Sequence, residues 1–126
     1  MEEYRMYIIV NSDAKMGKGK IASQVGHAVM AVTEIMVKEY PQIWRSYAEY
    51  VHPKICLKAN SELMHEIFNT YDWINHSDKQ VWCRGIKDAG RTQVEPGTLT
   101  AIAFCPMKKS TMPRRLLSVI DRLKLL

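Results

Sequence analysis

Apolar residues follow two periods along the chain. Met6-Tyr7-Ile8-Ile9-Val10 is an unbroken apolar run and predicts a buried strand from Tyr4 to Val10. Asn11 to Lys15 is polar and turn-forming. The period then changes: Ile21, Val25, Ala28, Val29, Val32, Ile35 and Met36 recur at helical spacing. They predict a helix from about Gly17 to Tyr40, ended by Pro41. On a wheel of about 100° per residue these positions fill one arc. Lys20, Gln24 and His27 share its border, where polar side chains look into a cleft beside the core.

Pro41 also suits the first turn of a second, short helix, with Trp44, Tyr47, Ala48 and Val51 on its sticky face and His52-Pro53 as its break. Lys54 to Ala59 reads as a second strand. Asn60 or Ser61 is the expected N-cap of a third helix that buries Leu63, Met64, Ile67, Phe68 and Tyr71. Asn75 to Asp78 reads as a loop, Gln80 to Ile86 as a third strand, and Leu99 to Phe104 as a fourth. Ser110 or Thr111 should cap a last helix carrying Leu116, Leu117, Val119 and Ile120, and the tail Leu123 to Leu126 can add a short strand. Strands separated by helices imply an α/β fold with helices packed on a sheet. The direct link between the third and fourth strands implies an antiparallel pair, hence a mixed sheet of four strands, or five if the tail pairs.

At 126 residues the chain suits one domain spanning 1–126. With 47% hydrophobic and 25% charged residues it is globular in composition. No apolar run is long enough to span a bilayer, and the acidic start Met1-Glu2-Glu3 reads as neither a secretory signal nor a transit peptide, so the expected location is cytoplasmic with no membrane partner. Cys56, Cys83 and Cys105 are odd in number and widely spaced, without a CxxC pair, and no histidine pair has metal-ligand spacing. They read as reduced core thiols, and no metal is expected.

The net charge of +5 becomes informative only where the positive charges cluster. They do so at Lys15-Met16-Gly17-Lys18-Gly19-Lys20, where the first strand hands over to the first helix. Glycines there allow a tight turn, and the free N–H groups of a helix start together with lysines favour an anion. The segment is not a nucleotide P-loop, since G-x-x-x-x-G-K-[ST] is not met. By itself it is equally a solvated lysine-rich helix start. Lys108-Lys109 and Arg114-Arg115 form a second basic cluster, either a solvated face or a contact to a nucleic-acid backbone. Between the last two central strands, Lys87 to Thr98 is longer than a minimal hairpin needs and packs charges, hydroxyls and turn residues together. Ser23 and His27, four residues apart, suggest a nucleophile–base pair only weakly, because no orienting acid follows from the sequence.

Two long segments carry a resemblance. Lys15-Met16-Gly17-Lys18-Gly19-Lys20-Ile21-Ala22-Ser23-Gln24-Val25-Gly26-His27-Ala28 resembles the first helix motif of the archaeal and eukaryotic class of peptidyl-tRNA hydrolases. Asp88-Ala89-Gly90-Arg91-Thr92-Gln93-Val94-Glu95-Pro96-Gly97-Thr98 is similar to that family's second motif, and Leu123-Lys124-Leu125-Leu126 to its usual end. The resemblance implies a three-layer α/β domain with helices on both faces of the sheet. It implies hydrolysis of the ester joining a peptide to the terminal ribose of tRNA, with no cofactor. Carried over by motif position, it implies Lys20, Asp88 and Thr92 as the catalytic set, with Gln24, His27 and Thr98 as substrate-holding neighbours; the charges of Lys18 and Arg91, which flank that site with Lys15 and Lys87, are expected to hold substrate as well. The expected partner is the acceptor end of peptidyl-tRNA, and a homodimer is also expected. The competing reading is a non-catalytic member of the same fold that binds tRNA, or a protein through its aromatic second helix. Release of free tRNA from an N-blocked aminoacyl-tRNA separates the two. A small phosphate-binding protein is a third reading, and it would be stabilised by phosphate ligands without tRNA.

Overall fold

The computed structural model describes residues 2–76, 80–89 and 94–126. Among the described residues, five strands form one sheet: β1 (Met6–Asn11), β2 (Lys54–Ala59), β3 (Cys83–Lys87), β4 (Leu99–Phe104) and β5 (Lys124–Leu125). Their order across the sheet is β3-β4-β1-β2-β5. β1 and β2 are parallel, while β1–β4, β3–β4 and β2–β5 are antiparallel, so β3 runs in the same direction as β1 and β2. All six residues of β1 are buried, as expected of a central strand covered on both faces.

The helices α1 (Lys18–Glu39) and α2 (Pro41–Ala48) connect β1 to β2 in one direction along the sheet. The helices α3 (Ser61–Tyr71) and α4 (Trp73–His76) return from β2 to β3 in the other direction. Right-handed crossovers taken in opposite directions place α1 and α3 on opposite faces, which gives three layers. The fifth helix, α5 (Arg114–Arg122), precedes β5. Among the described residues, no helix is long and apolar enough to cross a membrane.

Face assignments follow from contacts. Phe68 of α3 fills the space where a side chain at Gly85 would lie, and Tyr71 of α3 meets the Phe104 ring edge-on, with ring centroids 5.8 Å apart. Gly85 and Phe104 therefore face α3, and their neighbours Ile86 and Ala103 face α1. Ala101 and Ala103, both fully buried, present only methyl groups, so α1 can lie close to β4.

Several elements differ from the sequence expectation. The first strand begins at Met6, with Arg5 paired to Met107 by an isolated bridge. Within 75–78, Asn75 and His76 lie in the one-turn helix α4; Asp72 holds its start by accepting from the Ile74 and Asn75 amides. The third strand begins at Cys83. The last helix is entered through Pro113, not capped by Ser110 or Thr111; those two residues end a 3₁₀ turn instead, because Pro113 disfavours a helical conformation at Met112, which is extended, so the helix cannot begin earlier. α2 ends at Ala48, and the polypeptide leaves it through Val51 and His52 with positive φ of 62° and 54°. The third-helix cap is as expected: Asn60 Oδ1 accepts from the Leu63 amide at 2.8 Å. The tail does pair, with Leu125 opposite Leu57 and Lys124 opposite Lys58.

Candidate active site

The glycine-lysine corner sits at the carboxyl end of β1, where the chain leaves the sheet for α1. Open α/β sheets bind their ligands at such a point. Gly17 caps α1 in an extended conformation, without a side-chain cap. Lys15 and Lys18 are exposed, whereas Lys20, inside the first turn, is turned inward.

Lys20 Nζ lies 2.5 Å from Asp88 Oδ1. Both side chains are largely shielded from water, Lys20 at 13% exposure and Asp88 at 6%. The two residues are 68 positions apart, one on the first helix and one just past β3, and the fold brings them to the same side of the sheet. Asp88 is fixed by its backbone: its N–H donates to the Thr98 carbonyl at 2.9 Å, and its carbonyl accepts from Gly97 at 2.7 Å. Gly97 has φ of +83°, a conformation glycine adopts without steric cost. The Pro96-Gly97 turn thus presents the carboxylate.

A cleft of about 320 Å³ opens beside the pair, lined by Lys20, Ser23, Gln24, His27, Ile86 and Ala89 among others. Gln24 is buried within the same stripe as Ala28, Val32 and Met36. Its Oε1 accepts from the Thr100 hydroxyl at 2.6 Å, and that oxygen also approaches the Ile86 carbonyl at 3.2 Å. His27 is exposed at the rim, with Nε2 3.4 Å from Ser23 Oγ. The described residues contain no third, acidic partner bonded to that ring, and the contact is long for a nucleophile–base pair.

Sequence reasoning missed Thr100. The register between β3 and β4 shifts at Ile86/Lys87: Ile86 faces Ala101, whereas Lys87 faces Leu99, so Thr100 is the extra residue of a bulge. Leu99 packs toward the α3 side, against Gly85. In a regular strand Thr100 would take the opposite face from Ala101; the bulge turns both toward α1, so the threonine reaches Gln24. A hydroxyl in the apolar run Leu99 to Phe104 was the available signal, since a buried hydroxyl requires a partner.

Thr98, expected among the substrate-holding residues, faces elsewhere. Its hydroxyl donates to the Glu95 carbonyl at 2.7 Å, and it lines a neighbouring cleft with Asn11, Asp13, Lys15 and Ser61. Asn11 donates to the Leu99 carbonyl at 2.8 Å, and Asp13 accepts from the Ser61 amide, tying the end of β1 to β4 and to the start of α3. Arg91 and Thr92 lie outside the described residues. Lys87 is exposed, with its ammonium 5.6 Å from the centre of the Phe68 ring. The three cysteines are unpaired; burial pushes the Cys83 and Cys105 thiols up, Cys105 to about 12, so neither is a ready nucleophile. Among the described residues, no group of three metal-binding side chains comes together.

A shielded cation–carboxylate pair thus lines an open cleft beside a lysine-rich helix start in a three-layer α/β protein. Comparison with known proteins narrows the class. The family model described as peptidyl-tRNA hydrolase PTH2 matches residues 4–126. The chain is 33% identical over 122 residues to a peptidyl-tRNA hydrolase of Methanocaldococcus jannaschii, covering 97% of this chain and 99% of that protein. It is 36% identical over 126 residues to a peptidyl-tRNA hydrolase of Saccharolobus solfataricus, covering 97% and 98%. It is 33% identical over 105 residues to the mouse mitochondrial peptidyl-tRNA hydrolase 2, covering 82% of this chain and 55% of the mouse protein. The chain belongs to the PTH2 family of peptidyl-tRNA hydrolases.

Proposed function

We propose that this protein hydrolyses the ester between peptide and tRNA, freeing both, and that Lys20 and Asp88 act on that ester. The observation that carries the assignment is their contact at 2.5 Å in the lining of an open cleft. Ester hydrolysis needs an aimed water, a partner for the developing oxyanion and a held substrate. The Asp88 carboxylate accepts a hydrogen bond from water and aims its oxygen at the ester carbonyl carbon. The Lys20 ammonium has three N–H donors, so it can hold Asp88 and still donate to the oxyanion or the leaving ribose oxygen. Water forms the new C–O bond, the bond from acyl carbon to ribose oxygen breaks, and the water proton ends on the departing ribose hydroxyl. Gln24, clamped by Thr100, fixes the cleft wall, and His27 stands at its rim. Thr92 belongs to the proposed catalytic set by motif position, and Arg91 to the proposed substrate-holding residues. Lys15, Lys18 and Lys87 supply the charge that attracts the phosphate backbone.

Reduced, unpaired cysteines fit a cytoplasmic setting, which is part of the proposal, as is a homodimer that light scattering would test. The decisive assay is incubation with N-acetyl-aminoacyl-tRNA. Release of free tRNA by the wild type, with loss in Asp88→Asn, supports the proposal. Tight binding without release would establish an adaptor instead.

A further inference from the structure

We propose that the open edge of β3 takes the peptide of the substrate as an added parallel strand; this rests on the hydrolase reading above. Among the described residues, the sheet order leaves β3 with β4 on one side and no further strand on the other. Which backbone groups face that edge follows from the ladder. Cys105 N–H donates to the Trp82 carbonyl, and Asp88 N–H to the Thr98 carbonyl, both at 2.9 Å. In an antiparallel pair such bonded residues alternate with unbonded ones, so Arg84 and Ile86 also turn their N–H and C=O groups to β4. Cys83, Gly85 and Lys87 turn theirs outward. The protein already uses the first of these, because Asp72 forms a parallel bridge with Cys83. That bridge stops there, and the edge continues past Gly85 and Lys87 to Asp88.

The geometry selects the occupant. A peptide whose carboxyl carbon sits at Lys20 and Asp88 must leave along a path that starts at the end of β3. It arrives C-terminus last, so it runs in the same direction as β3, which is the direction Asp72 already takes. From Asp88 back to Gly85 is about 10 Å at strand spacing, room for the last three peptide residues. Main-chain pairing also suits the substrate, since bonds to backbone groups ignore side-chain identity. The edge is short and carries Arg84 and Lys87, features that discourage indiscriminate strand pairing. A peptide tethered through its ester in the cleft overcomes this, because the tether raises its local concentration.

The test uses tRNA carrying N-acetyl-Ala, N-acetyl-Ala-Ala, N-acetyl-Ala₃ and N-acetyl-Ala₅. The expected kcat/KM rises by roughly three- to tenfold for each main-chain bond gained and levels off near three residues, where Asp72 occupies the edge. N-methylation of single peptide bonds in the longer substrates should cost activity at alternate positions, the period of a strand. On the protein side, Lys87→Pro removes the outward N–H while leaving bonds to β4 intact, and Lys87→Ala controls for the charge. Relative to Lys87→Ala, Lys87→Pro should lower the ratio of Ala₃ to single-residue turnover, a ratio insensitive to general losses. Equal kcat/KM at all lengths, or N-methyl losses without alternation, would overturn the added strand while leaving the hydrolase reading intact. No tRNA release from any of the four substrates would overturn both.

Discussion

Removing either member of the Lys20–Asp88 pair should cost stability and activity, and removing both should restore only stability. At 2.5 Å and an effective dielectric of 20, the gross attraction is about 7 kcal/mol. Most of this offsets the cost of taking two charges out of water, so the intact pair contributes little net stability. A single replacement leaves the other charge shielded and without its oppositely charged neighbour in this pair. For fully buried pairs that costs about 3–5 kcal/mol; here the cleft lets some water in, so Asp88→Asn and Lys20→Met should each cost about 2–4 kcal/mol. Against a typical total of about 5–15 kcal/mol, both variants remain folded. The double variant Lys20→Met/Asp88→Asn has no stranded charge. It should recover at least about 2 kcal/mol relative to the sum of the singles, within the range seen for contacting residues. Urea midpoints at constant slope give these values. Hydrolysis of N-acetyl-aminoacyl-tRNA should fall at least about tenfold in all three proteins, with the double no worse than the weaker single, as residues acting as a unit behave. Additive stability losses, within about 0.5 kcal/mol, would refute the charge coupling. Near-wild-type turnover in the double variant would refute the catalytic assignment.

Thr100→Val removes the hydroxyl bonded to Gln24 and should cost about 1–3 kcal/mol, with a drop in kcat as the cleft wall loosens; unchanged urea midpoints would show that the bond is dispensable. Lys15→Gln/Lys18→Gln/Lys87→Gln should flatten the dependence of log tRNA affinity on log salt by about 2–3 in slope, read by filter binding; an unchanged slope would place the phosphates elsewhere. Gly85→Ala would bring its new carbon within 2.7 Å of the Phe68 ring and 2.9 Å of Leu99, so it should destabilise by about 1–3 kcal/mol, partly relieved by Phe68→Leu. The Cys105 thiol is raised from 9.0 to about 12 by burial, so the unfolded chain ionises first; stability present below pH 9 should decline as pH rises from 9 toward 12. Thermal midpoints measured from pH 8 to 11 should fall less in Cys105→Ala than in wild type.

The local pattern determined a great deal. Hydrophobic period alone located β1, α1, β2, α3 and β4 to within a residue or two, because a strand and a helix each bury one periodic set of side chains. Pro41 and Asn60 marked boundaries because their chemistry acts on immediate neighbours. The motif residues Lys20 and Asp88 were legible as a pair only through resemblance; nothing across a separation of 68 positions states that they meet. Tertiary structure decided that, along with everything that depends on partners distant in sequence. It turned Thr100 toward Gln24 through a bulge, sent the Thr98 hydroxyl into a different cleft, and paired the two-residue tail with β2. It also entered the last helix through Pro113, where local capping rules favoured Ser110 or Thr111. The reason is one of range. Backbone preference and side-chain period are set within a few residues, whereas register, facing and charge pairing are set by whichever distant segment the core brings alongside.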